Sequence, residues 1–473
     1  MAQASLSGKA TSLRLHRRIW RWHFLAGLLI VPFAVLLSAS GALYLFKPQF
    51  IQWQEARIHA EAPSAASNIA LSMDTLLAAA QRAQPGSELV KITLPRTPED
   101  RSVELDLRDA NAVWTLWVDR YSGELLHRAR ADQQLMAWTK RLHGSLLLGD
   151  RGSLVVELMA SWMIVMLVTG LYLWWPRGTP WWRALFPRLT RQGGIRAFWR
   201  RLHGAVGLWF SGAILLLLLS GLPWTTVWGG GFDWVQRTMG WDGPGQEWVV
   251  TLQSGAQPAG HHGGADGLSL WERGHDNGNP VTLQSGPAAP ATLPQTLQAI
   301  VARVTPEQLP PPVELRPPRG ENGVWTVRSM TQNRPLRETV HYDRWTGAEI
   351  MRIRFADYHP VQRTVSYGIA LHEGALFGWL NQLLALLTAL AVIGLSVSGT
   401  IVWWKRRPKG RLGIPPLPQD AGIPRGLTAL VIGCGLLLPL LGLSLLLLWL
   451  MDTMWTLARH RFPGSRHSTA TLP

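Results

Sequence analysis

Five apolar runs constrain this chain before any other feature does. They lie at about 24–46, 154–175, 204–224, 383–404 and 427–450, and each is long enough to cross a bilayer, which takes roughly 20 apolar residues. Only 16% of the residues are charged, against about 25% in an ordinary soluble protein. The first run follows a basic start. It is too long for a signal-peptide core and has no small-residue cleavage site behind it, so it reads as a retained helix.

The formal charge of +16 would suit a nucleic-acid binder, but its distribution follows membrane topology instead. Lys9, Arg14, Arg17, Arg18 and Arg21 precede the first run with no acid among them. The 176–201 connection has seven arginines and no acid, and 405–426 has six Lys or Arg against Asp420 alone. The long 47–141 segment balances twelve basic with twelve acidic residues. Under the positive-inside rule the N-terminus and both short loops are cytoplasmic, and the long segments lie outside. The Trp174/Trp175 and Trp403/Trp404 pairs suit the aromatic belt at the cytoplasmic interface. The expected partner of this charge is the lipid bilayer of a bacterial inner membrane, with no nucleic acid.

Two halves of the chain repeat each other. His23 and His203 are each followed by Gly four residues on, at Gly27 and Gly207, and by a Ser-Gly ending at Gly41 and Gly221. His143 and His372 are each followed by Gly six residues on, at Gly149 and Gly378, then by Gly170 and Gly399, then by the Trp pairs. Matching intervals of this kind point to a duplicated unit of helix, external domain and helix. Each unit crosses twice, so the copies share an orientation around a pseudo-two-fold axis along the membrane normal. The external segments match as well: "VDRYSGELL" at 118–126 parallels "YDRWTGAEI" at 342–350, each a strand, Gly turn and strand. Helices are expected over 71–84 and 293–304, and strands over 101–107 and 323–330.

The expected fold is therefore a membrane all-α bundle of about five spans with two small external α+β domains. A cytoplasmic segment 1–23 leads into the first span, 24–46, and then the first external domain, 47–141. A short helix plus the second span takes 142–175, a cytoplasmic loop 176–201 and the third span 202–224. The second external domain, 225–358, carries a Gly- and Pro-rich irregular insertion at 229–291. A short helix plus the fourth span follows at 359–404, a cytoplasmic loop at 405–426, a fifth span at 427–451, and a tail at 452–473. His143 and His372 each precede their apolar run by about ten residues, so "GDRG" at 149–152 and "GWLN" at 378–381 are expected to mark bends.

The chain has fourteen histidines, and the four repeated ones stand apart. His23 and His203 fall at cytoplasmic helix ends, His143 and His372 on the external side. A lone histidine at a helix end is ordinarily an interfacial residue, but four in duplicate on matched sides suit axial ligation of two haem b groups on the axis, one between each pair. The single cysteine, Cys434, allows no C-x-x-C-H attachment, so any haem is non-covalent. Gly27 and Gly207 leave room either for a flat ring or for close helix packing. Arg21, Arg141, Arg200 and Arg201 are either propionate partners or headgroup contacts. His16, seven residues before His23, is its rival as ligand. His261 and His262 sit in the insertion and suit at most a weak metal site. No nucleophile motif, P-loop or simple dinucleotide fingerprint is present.

The stretches "RWHFLAGLLIVPF", "RLHGSLLLGDRGSLVVEL", "TGLYLWWPR", "FWRRLHGAVGLW" and "YGIALHEGALFGWLNQ…SGTIVWWKRRP" resemble the PepSY-associated transmembrane family. The "YSGELL" and "WTGAEI" turns resemble those of PepSY-type domains. Members similar to this chain include siderophore-iron reductases with b-type haem. The resemblance implies an oxidoreductase that takes electrons from a cytoplasmic or membrane donor and reduces periplasmic ferric siderophore, with Fe(II) released for iron uptake. The competing readings are a non-enzymatic membrane sensor or regulator and a transporter built on the repeat axis.

Overall fold

The computed structural model describes residues 2–60, 69–97, 99–176, 186, 193–241, 296–319, 323–416 and 425–461. Four of its helices are long and apolar enough to cross a membrane: Leu13–Tyr44, Gly149–Trp174, Gly194–Trp224 and Trp379–Arg406. They belong to α1 (Ala2–Tyr44), α5 (Gly149–Trp174), α6 (Gly194–Gly221, extended by a 3-10 turn at Leu222–Trp224) and α10 (Trp379–Arg406). Their inward stripe buries Ala26, Ile30 and Ala34 of α1 against Met159 of α5, Ile214 of α6 and Val392 of α10. Their outward residues, such as Leu29, Leu216 and Leu390, stay exposed. Leucine on an uncovered helix face is unfavourable in water and favourable in lipid, and a helix satisfies its own backbone there.

The last apolar run differs from expectation. It is not one span but two helices, α11 (Arg425–Leu437) and α12 (Pro439–Arg461). Pro439 has no N–H to continue the first helix. The chain bends so sharply at Leu438 that a side chain added at Gly442 would strike the backbone of Gly435. Leu438 and Leu441 are buried beside Leu222, with Trp162 packed on them. The Trp162 indole N–H donates to Ser444 Oγ at 3.2 Å, fixing α12 to α5.

The two external α+β regions are also not separate domains. Strands β1 (Glu88–Thr93), β2 (Ser102–Arg108), β3 (Val113–Asp119) and β4 (Leu125–Arg130) come from the first half, and β5 (Val313–Arg316), β6 (Trp325–Ser329), β7 (Glu338–Tyr342) and β8 (Glu349–Arg354) from the second. They form one eight-stranded antiparallel sheet in the order β4-β3-β2-β1-β5-β6-β7-β8. The halves join at β1 and β5, where Ile92 faces Leu315 and Thr93 faces Glu314. One face packs on α3 (Met73–Ala83) and α8 (Leu297–Val304), burying Leu76, Ile92, Leu105, Leu116, Ile300 and Leu315 in a single core. The helices are also tied to each other. Asp74 accepts the Leu297 and Gln298 amides at 3.1 and 3.2 Å, and the Met73 amide donates to Gln298 Oε1 at 2.8 Å. The other face is polar at the seam. Lys91 lies 3.2 Å from Glu314 across it, and 3.5 Å from Glu104 and Asp106 on its own side.

Short helices connect this sheet to the bundle: α4 (Leu135–Ser145) after β4, and α9 (Pro360–His372) after β8. The chain breaks between α4 and α5 through Leu146, Leu147 and Gly149, all at positive φ, and between α9 and α10 through Gly374 and Gly378. These breaks let a helix that carries a histidine lie over the end of the bundle instead of continuing α5 or α10. The stretch 229–239, expected to be irregular, is helical within α7 (Thr226–Met239). Its first turn is capped from another helix: Glu157 of α5 accepts the Val227 and Trp228 amides at 2.9 and 3.1 Å. The rest of the insertion, with His261 and His262, lies outside the described residues.

Two outcomes test this packing. Lys91→Met leaves three carboxylates facing one another at the seam, and should cost about 2 kcal/mol of sheet stability, below the range for a fully buried pair because Lys91 is partly exposed. Faster hydrogen exchange at the Leu94 amide, which donates to Val313 across the seam, should report it, and adding Glu314→Gln should recover part of the loss. Unchanged exchange would show that the seam does not depend on this charge cluster. The second outcome concerns His341, which is fully buried on β7 and lowered to about 4 by burial and then by Arg328. The unfolded chain takes up a proton near pH 6.5 that the folded sheet refuses until about 4, so stability falls as pH drops through that window. His341→Gln should make thermal unfolding less dependent on pH between 7 and 5; an identical dependence would remove His341 as its cause.

Candidate functional site

Each of the four repeated histidines lies where one helix crosses another, and each ring meets the same local pattern. His143 of α4 reaches α1, where Nδ1 lies 2.9 Å from the Leu37 carbonyl and 3.3 Å from Ser40 Oγ. His372 of α9 reaches α6, with Nδ1 at 3.0 Å from the Leu217 carbonyl and 3.1 Å from Ser220 Oγ. His203 of α6 reaches α10, at 3.1 Å from the Leu395 carbonyl and 3.0 Å from Ser398 Oγ. His23 of α1 reaches α5, at 2.9 Å from Thr169 Oγ1.

These contacts fix the protonation pattern of the rings. A carbonyl oxygen can only accept, so Nδ1 of His143, His203 and His372 carries the hydrogen. The Thr169 hydroxyl donates to the Val165 carbonyl at 2.7 Å, so toward His23 it accepts, and that ring takes the same tautomer. No hydrogen bond of these rings involves Nε2 among the described residues. Nε2 therefore keeps its lone pair, as a metal-ligating imidazole requires.

One pair of rings, His143 and His372, meets across the two halves of the chain. The His143 and His372 ring centroids are 6.2 Å apart with planes inclined at 64°. Two imidazoles sharing one metal, each bound at about 2 Å, would have centroids roughly 6 Å apart, and the separation of this pair matches that distance. Trp224 meets His372 edge to face at 5.8 Å and packs beside the pair. His23 on α1 and His203 on α6 lie at the other end of the bundle. Among the described residues no group of three or more His, Cys, Asp or Glu side chains gathers as a protein-only metal site would need. Paired histidines suit a cofactor that brings its own equatorial donors.

The remaining expected residues take other places. Gly27 and Gly207 do not face the imidazoles: side chains added there would meet Met166 of α5 and Leu395 of α10. His16 lies against Tyr172, with ring centroids 6.3 Å apart, two turns before His23 on α1. Arg21 donates to the Pro415 carbonyl at 2.5 Å, which ties α1 to the segment after α10. Arg141 donates to the Asp132 carbonyl, bracing α4 against the turn before it. Arg200 and Arg201 lie one turn or less from His203 on α6, Arg200 exposed and Arg201 half-buried.

The sequence pattern did contain the ring contacts, but under a different meaning. A side chain added at Gly41, Gly170, Gly221 or Gly399 would meet the imidazole of His143, His23, His372 or His203, respectively. These are the glycines whose spacing revealed the repeat. Their Ser or Thr neighbours Ser40, Thr169, Ser220 and Ser398 are the side-chain partners of the four histidines. The available signal was the recurrence of a hydroxyl residue before each of the four glycines.

A family model described as the PepSY-associated TM region matches residues 20–406. That range takes in all four histidines and the whole sheet. No curated protein matches the chain.

Proposed function

The chain belongs to the family of the PepSY-associated TM region, and on that premise we propose that it is a two-haem membrane reductase. In this reading it carries electrons from a donor at the His23/His203 end to a ferric siderophore at the His143/His372 end. The observation that carries the reading is the 6.2 Å spacing of His143 and His372, with both rings held by Nδ1 so that Nε2 is free.

Haem b, when bound, supplies reversible one-electron chemistry at an iron held by two imidazoles. The chain's own residues do the rest. His143 and His372 hold one site beneath the sheet, and His23 and His203 hold the other near the opposite end of α1 and α6. His23 and Gly41 are 18 residues apart on α1, about 27 Å of helix, so the two sites lie near opposite edges of an apolar core roughly 30 Å thick. Between them, Ile30, Ala34, Met159, Ile214 and Val392 pack with Phe33 and Phe210, a filling that excludes water and ions from the route. The basic N-terminal segment and short loops orient the His23/His203 end toward the cytoplasm of a bacterial inner membrane and the sheet toward the periplasm. A siderophore holds Fe(III) far more tightly than Fe(II), so one electron is enough to loosen the metal and no proton-transfer residue is required.

The purified protein should carry non-covalent low-spin haem. A colourless, folded preparation from haem-replete cells would return the chain to the regulator or transporter readings. His203→Ala and His143→Ala should each remove a different spectral component; loss of the same component from both would overturn the pairing. His16→Ala should retain both components, and loss of one would move the ligand role away from His23. Prereduced protein should reoxidise when ferric siderophore is added, with Fe(II) appearing in a chelator trap. His372→Ala should abolish that reaction while the other site is still reduced by donor. Full-rate iron reduction by this variant would take the His143/His372 site off the path.

A further inference from the structure

Within each half of the chain the histidines are held reciprocally. α1 carries His23 at its middle, not at the helix end expected from the sequence, and Ser40-Gly41 near its C-terminus. The α4–α5 unit carries His143 at one end and Thr169-Gly170 at the other. His23 docks on Thr169-Gly170, and His143 docks on Ser40-Gly41. The second half repeats the exchange: His203 of α6 docks on Ser398-Gly399 of α10, and His372 of α9 docks on Ser220-Gly221 of α6.

We propose that these four Ser/Thr-Gly doublets are the positioning residues of the two cofactor sites. This inference rests on the two-haem reading above. The glycine lets the ring lie against the facing helix. The hydroxyl one residue earlier, with the carbonyl four residues before the glycine where it is in range, holds the Nδ1 hydrogen. Together they fix the tautomer and aim Nε2 into the cleft between the halves. A histidine that donates its second ring hydrogen is a more basic and better-oriented ligand, and loss of such a partner typically costs about 10–100-fold in metal affinity. Among the described residues neither half hydrogen-bonds the other's four rings, so each site closes only when two pre-aimed imidazoles meet across the halves.

The space around the four glycines ranks their substitution. A Cβ at Gly41 would come within 2.9 Å of His143 Cε1, at Gly170 within 3.1 Å of His23, at Gly221 within 3.3 Å of His372, and at Gly399 within 3.4 Å of His203. The first needs the ring to move, and the last is close to ordinary contact.

Two measurements on the full-length protein test the assignment. In haem-free, 15N-histidine-labelled protein, long-range nitrogen–proton correlations should show Nδ1–H tautomers for all four rings, and Gly41→Ala should perturb His143 alone. In haem-loaded protein, Gly41→Ala should weaken retention at the sheet-end site by about tenfold or more, and Gly399→Ala should leave the other site nearly unchanged. Ser220→Ala should shift the midpoint potential and low-spin EPR signal of the sheet-end site with both sites still filled, and Ser220→Thr should restore them, since Thr169 already fills this role for His23. Nε2–H tautomers, or equal effects of Gly41→Ala and Gly399→Ala, would overturn the proposal. So would a Ser220→Ala shift confined to the His23/His203 site. A colourless protein that keeps the four Nδ1–H tautomers would overturn the two-haem reading and leave the ring positioning standing.

Discussion

The contact between an imidazole Nδ1 and a helix backbone one layer away organises this bundle. A carbonyl inside an α-helix already accepts one N–H, and its second lone pair is free for a ring that approaches from the side. Approach from the side requires a missing side chain, hence glycine. A neighbouring hydroxyl can turn back to its own helix, as Ser40 does toward the Leu36 carbonyl at 2.9 Å, and still offer a lone pair outward. In lipid, a buried polar group without a partner is costly. The doublets remove that cost on the Nδ1 side of each ring. The rest of the membrane portion can be read as apolar packing around these four points.

The external sheet extends the same two-half logic beyond the bilayer. β1 and β5 would each be an open edge in a lone half, with unpaired amides and carbonyls. Pairing them makes one continuous sheet, and Lys91 places a cation among carboxylates from both halves. The sheet then anchors downward at the start of α4 and at the end of α9. Gln134 donates to Thr115 on the polar face at 3.0 Å, and the buried Arg334 pairs with Glu373, the residue after His372, at 3.1 Å. The sheet and the His143/His372 pair are thus parts of one braced structure.

The four spanning helices and the four histidines were legible in the sequence because lipid imposes long apolar runs and duplication repeats the spacings. The strands near Ser102–Arg108 and Trp325–Ser329 were legible from alternation. Their assembly was not: nothing local in "ELVKIT" or "VELR" names a partner more than 200 residues away, so two domains were expected where one sheet exists. The helix over 229–239 was hidden by three consecutive glycines, poor helix formers, and by a cap supplied from Glu157, some 70 residues earlier. The division of the last apolar run was foreshadowed by Pro439 but masked by hydropathy, which records apolarity and not the missing amide. The ring-holding doublets were visible as letters, but which helix faces which histidine is decided by the reversal of the chain at Leu146–Gly149 and Gly374–Gly378.

The symmetric sheet order has a consequence for each half of the chain. A single unit, ending after α5, would present one bare strand edge and one imidazole of each pair. Such a unit is self-complementary, because its own copy, turned by two-fold rotation, offers the matching edge and the missing imidazoles. The strand order β4-β3-β2-β1-β5-β6-β7-β8 is the one that two such units would make by pairing their β1-type edges. The α7 cap from Glu157 and the α11–α12 pair against Trp162 break that two-fold match: both lean on α5, in the first half, and are built from the second.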